Sequence, residues 1–176
     1  KIEPLKTIKA IPKTNIFLFG SYELINVVKF LFTLYLFLYI KDNYQTVGIL
    51  NLVANLSTIL FAYFYGKKIN RGGNFLHISI FLVTLTYFLK LNVTSYALLL
   101  ISFLEGIFLK MYEISIQKEF YVLSKKFEYN NYNLIYELTE NVFRTIMVAI
   151  LYFFIEDLKT MIIVVLLVIV CGIFCR

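Results

Sequence analysis

Glu137, Glu140, Asn141 and Arg144 stand at the head of an apolar run that continues through Ile146 to Ile155. On a helix these four positions fall at i, i+3, i+4 and i+7, one polar stripe along an otherwise apolar rod. Three ionisable groups within two turns cannot face hydrocarbon, where each charge costs at least ~2.5–3.5 kcal/mol. The stripe must look into a helix bundle or a water-filled path.

The remaining residues decide the solvent. Of 176 residues, 60% are hydrophobic and 16% are charged; a soluble domain holds ~45–50% and ~25%. Apolar surface in that excess requires lipid. The net charge of +6 would suggest nucleic acid in a soluble protein. Here the basic residues gather in the connections between apolar runs, as in proteins that keep positive loops inside, so no nucleic-acid partner is expected. Residue 1 is Lys, which reads as a piece of a longer chain, and no cleavable signal pattern is present. Cys171 and Cys175 lie four apart at the end of the last apolar run and read as small apolar residues of a helix. Neither a metal nor another cofactor is expected, because the sole His is far from both. The sequence lacks G-x-S-x-G, H-E-x-x-H and a phosphate-binding glycine loop, so an enzyme is not expected either.

Residues 1–14, with Lys1, Lys6, Lys9, Lys13, Pro4 and Pro12, read as a cytoplasmic tail or linker. Residues 15–176 read as an all-α transmembrane domain with spans at about 15–40, 46–65, 75–89, 93–121, 134–155 and 160–174. Lys67, Lys68, Arg71, Lys118, Lys125 and Lys126 fall on the side of the tail, while Lys41, Lys90 and Lys159 fall in turns on the other. That asymmetry places both termini in the cytoplasm. The expected location is integral to a membrane, the plasma membrane, with the lipid bilayer as partner.

Polar residues recur at three- and four-residue spacing in four spans: Gly20, Glu23, Asn26, Lys29 and Thr33 in the first; Gly48, Asn51, Asn55, Thr58, Ala62 and Gly66 in the second; Ser102, Glu105, Gly106, Tyr112 and Glu113 in the fourth; and the opening stripe in the fifth. The second set is a small, polar seam of the sort that lets membrane helices approach closely. The third and sixth spans carry no acid or base, and the sixth, apolar on every face, is expected to touch lipid and line nothing. Arg144 is expected to pair with Glu140 or with Glu105, either as a clasp between helices or as a contact for an anionic substrate group. Glu23 and Glu105 are candidates for carrying a coupling proton. Lys29 can snorkel or pair with Glu23. Asn51 and Asn55 serve as interhelical hydrogen-bonding groups or as ligands.

Gly66, Asn70 and Gly73 fall at the spacing of G-x-x-x-D-x-x-G-R-R, the loop motif of the major facilitator superfamily. In that family it joins the second and third helices and recurs, more loosely, between the eighth and ninth. Asn70 stands in place of the acid, and Asn74 and Phe75 in place of the arginines, which suits the looser copy. Glu137, Asn141 and Arg144 match the pattern E-x-x-x-N-x-G-R of the eleventh helix in a bacterial branch, with Phe143 for the Gly. Over almost its whole length the chain resembles a C-terminal six-helix half, helices seven to twelve. The resemblance implies six transmembrane helices in two three-helix inverted repeats, the third helix of each lying outside, and a gating loop at Gly66, Asn70, Arg71 and Gly73. It also implies secondary transport of a small-molecule substrate by alternating access. Glu23, Asn26, Asn51, Asn55, Glu105, Glu137, Glu140, Asn141 and Arg144 would form one wall of the pathway. The other wall would come from a missing N-terminal six-helix half or a second copy. The alternative, from another class, is a non-transporting membrane module whose polar stripes serve helix association or a partner protein.

Overall fold

The computed structural model describes residues 13–39, 44–69, 75–92, 95–126, 129–154 and 157–174. Within them the chain forms six helices and no strand: α1 (Lys13–Tyr39), α2 (Tyr44–Ile69), α3 (Leu76–Lys90), α4 (Ser95–Lys126), α5 (Tyr129–Phe154) and α6 (Leu158–Phe174). Each apolar run of the sequence becomes one helix. The polar stretch 124–133, expected as a connection, is mostly helical, because α4 continues to Lys126 and α5 starts at Tyr129. It contains neither Gly nor Pro, so its polar composition does not by itself keep these residues out of a helix. The α2 helix likewise continues to Ile69 and takes Gly66 with it. Asn70, Arg71 and Gly73 of the expected gating loop lie outside the described residues.

Two helices are long and apolar enough to cross a membrane, over Gly20–Leu38 and Tyr44–Phe64. The α3 and α6 helices are as apolar but span only 15 and 17 residues, while α4 carries more charge and α5 is less apolar on average.

Helices α1 and α4 are the hubs. The first packs on α5 and α6, the second on α2 and α3, and α3 meets α6. Smaller contacts join α1 to α2 and to α4, and α4 to α5. Between the hubs, Ser21 Oγ and the Tyr112 hydroxyl share a buried hydrogen bond of 2.8 Å. The core gathers Leu24, Ile25, Val28 and Leu31 of α1 with Ile80, Val83 and Tyr87 of α3, Tyr112 of α4, and Met161 and Ile162 of α6. The α6 helix therefore does more than touch a surrounding solvent. It buries Leu158, Met161, Ile162, Val165 and Ile169, since a helix with no polar face can turn any side inward.

The α2 helix shows the reverse. Only 17% of its apolar stretch is buried. Gly48, Asn51 and Asn55 face outward, while Leu50, Ala54 and Ser57 are buried. The true seam is thus displaced by one residue, about 100° around the helix, from the one read in the sequence. From the expected set Thr58 reaches the neighbour, donating from Oγ1 to the carbonyls of Ala54 at 2.9 Å and Gly106 at 3.1 Å. At Gly106 the two helices approach so closely that a Cβ would enter the Ala54 carbonyl and the Ser57 hydroxyl. Gly20 plays the corresponding part between α1 and α5, lying under the ring of Phe143.

Gly106→Leu is expected to destabilise the protein by about 3 kcal/mol, the upper end for overpacking against a backbone that cannot move aside. Gly48→Ala, with open space around it, is expected to gain up to ~1 kcal/mol of helix propensity. Chemical unfolding of the purified variants reads both.

Candidate functional site

The α1 helix buries one face through Gly20, Ser21, Leu24, Val28 and Leu31. Glu23 sits at the edge of that face, 5% exposed. The α5 helix is the most one-sided of the six in its division of polar from apolar residues. It presents Arg144 to Glu23 across the α1–α5 contact. The guanidinium meets a single oxygen, Glu23 Oε2, at 3.2 Å from Nη2 and 3.4 Å from Nε. The pair is lopsided: the Arg144 side chain is 56% exposed and that of Glu23 is 7% exposed. Arg144 is thus bound to Glu23, and neither to Glu140 nor to Glu105 as a partner. Glu140, half-buried one turn earlier on α5, lies against the Tyr136 hydroxyl and within electrostatic reach of both Arg144 and Glu23.

Around this pair a groove of about 390 Å³ opens between α1 and α5, lined by Glu23, Asn26, Val27, Phe30, Arg144 and Met147 among others. Asn26 is exposed in it and its amide lies against the Tyr22 hydroxyl. Three of the residues read from the sequence therefore come together: Glu23, Asn26 and Arg144. Glu140 stands close by. Glu137 and Asn141 occupy the exposed side of α5, where Asn133 Nδ2 donates to Glu137 Oε1 at 2.8 Å. Asn51 and Asn55 are exposed on α2, a helix that does not line the groove.

No family model, curated protein or solved structure matches this chain.

Glu105 forms a second, separate pair. Its partner is Lys90 at the end of α3, a residue the sequence reading left in a surface turn. Both side chains are 5% exposed. The ammonium also lies 5.0 Å from the centre of the Phe32 ring and 5.9 Å from that of Tyr87, so carboxylate and aromatic faces enclose it. Tyr87 faces the same carboxylate, and Ser102 lies one turn before Glu105. The buried Ser102 hydroxyl finds no hydrogen-bond partner among the described residues. The sequence signal for Lys90 was faint: a Lys ending an apolar helix is most often a snorkelling residue. Among the described residues no three His, Cys, Asp or Glu gather as a metal site would require.

The two pairs should respond differently to substitution. Glu105→Gln or Lys90→Met alone leaves a charge enclosed without its partner and is expected to cost about 3–5 kcal/mol, most of it regained in the double variant. Arg144→Ala, at a half-exposed position, is expected to cost less than either. A double-mutant cycle on unfolding free energies separates the cases.

Proposed function

We propose that the chain is one half of a secondary active transporter, which moves a small solute across the plasma membrane by alternating access. In this reading all six helices cross the bilayer with both termini cytoplasmic. The opposing wall is supplied by an N-terminal six-helix half or by a second copy. The observation that carries the reading is the internal order of the packing. Exchanging α1, α2 and α3 for α4, α5 and α6 turns the α1–α5 contact into α4–α2, the α1–α6 contact into α4–α3, and leaves α3–α6 unchanged. The glycines follow the same exchange, since one interval separates both Gly20 from Gly106 and Ser57 from Phe143. Inverted three-helix repeats of this kind belong to transporters whose site lies where the repeats meet. Support for lipid as the surrounding solvent comes from large side chains left outside the bundle, among them Phe30, Leu52, Ile59, Phe64 and Leu100. So many exposed apolar residues exceed what a water-soluble surface carries.

The pathway in this proposal runs through the α1–α5 groove, with Arg144, Glu23 and Asn26 as its polar floor. Asn51 and Asn55 on the outward side of α2, and Glu137 and Asn141 on α5, would face the opposing half. The non-transporting module is favoured by one observation, the Glu105–Lys90 pair, which is enclosed and fits a role in holding helices together.

Two measurements test the proposal on the full-length protein. In a cysteine-free background, Asn92→Cys in the turn after α3 and Lys125→Cys in the last turn of α4 are expected to react with impermeant reagents from opposite sides of the membrane. Uptake or efflux across a solute panel is expected to fall at least about tenfold in Arg144→Ala while helix content is unchanged. Labelling of both cysteines from one side, or transport indifferent to Arg144, overturns it.

A further inference from the structure

Two neighbouring cavities lie along α1 and α5. One is the groove of about 390 Å³ that holds Glu23, Asn26 and Arg144. The other, of about 180 Å³, lies among α1, α5 and α6, and presents no polar surface; Leu24, Phe143, Met147, Ile150, Met161 and Val165 are among its walls. Met147 lines both. Leu24 directly follows Glu23 in sequence and Phe143 directly precedes Arg144, so one residue step on each helix, with Met147 as the shared wall, separates the charged pair from the apolar space.

We infer that the two cavities form one binding site for a zwitterionic α-amino acid with a large apolar side chain: carboxylate on Arg144, ammonium on Glu23, side chain in the cavity among α1, α5 and α6. The inference names the substrate class under the transport reading and rests on it.

Charge decides the class of ligand. The charged groups lining the groove are one acid and one base, already paired with each other. An anion that draws Arg144 to itself strands Glu23, whose side chain is only 7% exposed, and a buried carboxylate without a partner is heavily disfavoured. A cation that takes Glu23 displaces Arg144 and leaves the ligand with no use for the guanidinium. A zwitterion supplies both charges, exchanges one ion pair for two, and leaves the net charge of the groove unchanged. The existing contact is suited to being opened. It uses one carboxylate oxygen at 3.2 Å and 3.4 Å, longer than the ~2.7–2.9 Å of a strong charged hydrogen bond. The end of the guanidinium away from Glu23 remains available for a bidentate carboxylate. The exposed Asn26 amide adds a donor and an acceptor beside it. Glu140 holds a second carboxylate within electrostatic reach, which disfavours a purely anionic ligand further. Bare aliphatic, aromatic and thioether walls then leave the apolar cavity one use, the burial of a hydrocarbon side chain.

The test is binding to the full-length protein in lipid nanodiscs, by calorimetry, with leucine and analogues that each lack one feature. 4-Methylpentanoate keeps the side chain and the carboxylate, 3-methylbutylamine keeps the side chain and the ammonium, and glycine keeps both charges without the side chain. Leucine and phenylalanine are expected to bind, and each of the three analogues at least about tenfold more weakly than leucine. In Glu23→Gln the gap between leucine and 4-methylpentanoate is expected to close. Equal binding of 4-methylpentanoate and leucine by the unaltered protein overturns the inference, as does failure of both amino acids to bind. Binding without transport would sink the transport reading and leave the site standing. Transport of another solute, uncompeted by leucine or phenylalanine, would sink the site and leave the transport reading standing.

Discussion

Glu23 and Glu105 are carboxylates set into an apolar bundle, and losing the partner of such a group costs about 3–5 kcal/mol where both members are enclosed and less where a groove admits water. Each is answered by a base from a different helix, Arg144 on α5 and Lys90 on α3. These pairings constrain how the helices can be assembled. Rotating α4 by a single residue would carry Glu105 about 100° away from Lys90 and into the apolar layer between α2 and α4. The same shift on α1 would take Glu23 off Arg144. Apolar contacts alone tolerate such slippage, because one aliphatic side chain replaces another with little loss. The ion pairs do not, so they select one register among the several that the hydrophobic core would accept.

Close approach is the second constraint, and it falls on the same two helices. Gly106 admits the backbone of α2, and Gly20 admits the ring of Phe143. The two contacts are built differently. The first is backbone against backbone, fastened by Thr58 donating to the Gly106 carbonyl at 3.1 Å. The second is a missing side chain filled by a large one.

The helices themselves were legible in the sequence because apolar runs of sufficient length leave the chain few other ways to satisfy its backbone. The stripe on α5 was legible too, since i, i+3, i+4 and i+7 fixes a face without reference to any neighbour. What lay across from that face was not. The sequence pointed Arg144 to Glu140 or Glu105; its partner is Glu23, and that pairing depends on α1 lying beside α5, a contact between distant parts of the chain. The seam on α2 failed for a related reason. Its polar and apolar residues are spread almost evenly around the helix, so α2 has the weakest one-sidedness of the six. Periodicity then cannot distinguish Asn51 and Asn55 from the neighbouring Leu50 and Ala54. Only the glycine on α4 fixes which side is inward. Lys90 was missed because its position at a helix end has an ordinary explanation, and its burial follows from Phe32 and Tyr87 closing over it.

The contrast between the two ion pairs is what separates a holding role from a binding one. Lys90 and Glu105 are each 5% exposed. A ligand could reach them only after α3 and α4 had parted, so this pair can hold the helices but offers nothing to exchange. Arg144 is 56% exposed while Glu23 is 7% exposed. A group arriving along the groove therefore meets the guanidinium first, and behind it a carboxylate that cannot be left alone. Any ligand that disturbs the contact must also satisfy the acid. Dispersed polar residues on a membrane helix impose no such condition, since each can be contacted without consequence for the others. A base standing in front of a buried acid links recognition of one charge to replacement of another. Under the proposed transport reading, that linkage would give binding a means of loosening the α1–α5 contact, the kind of movable contact beside a substrate that alternating access requires.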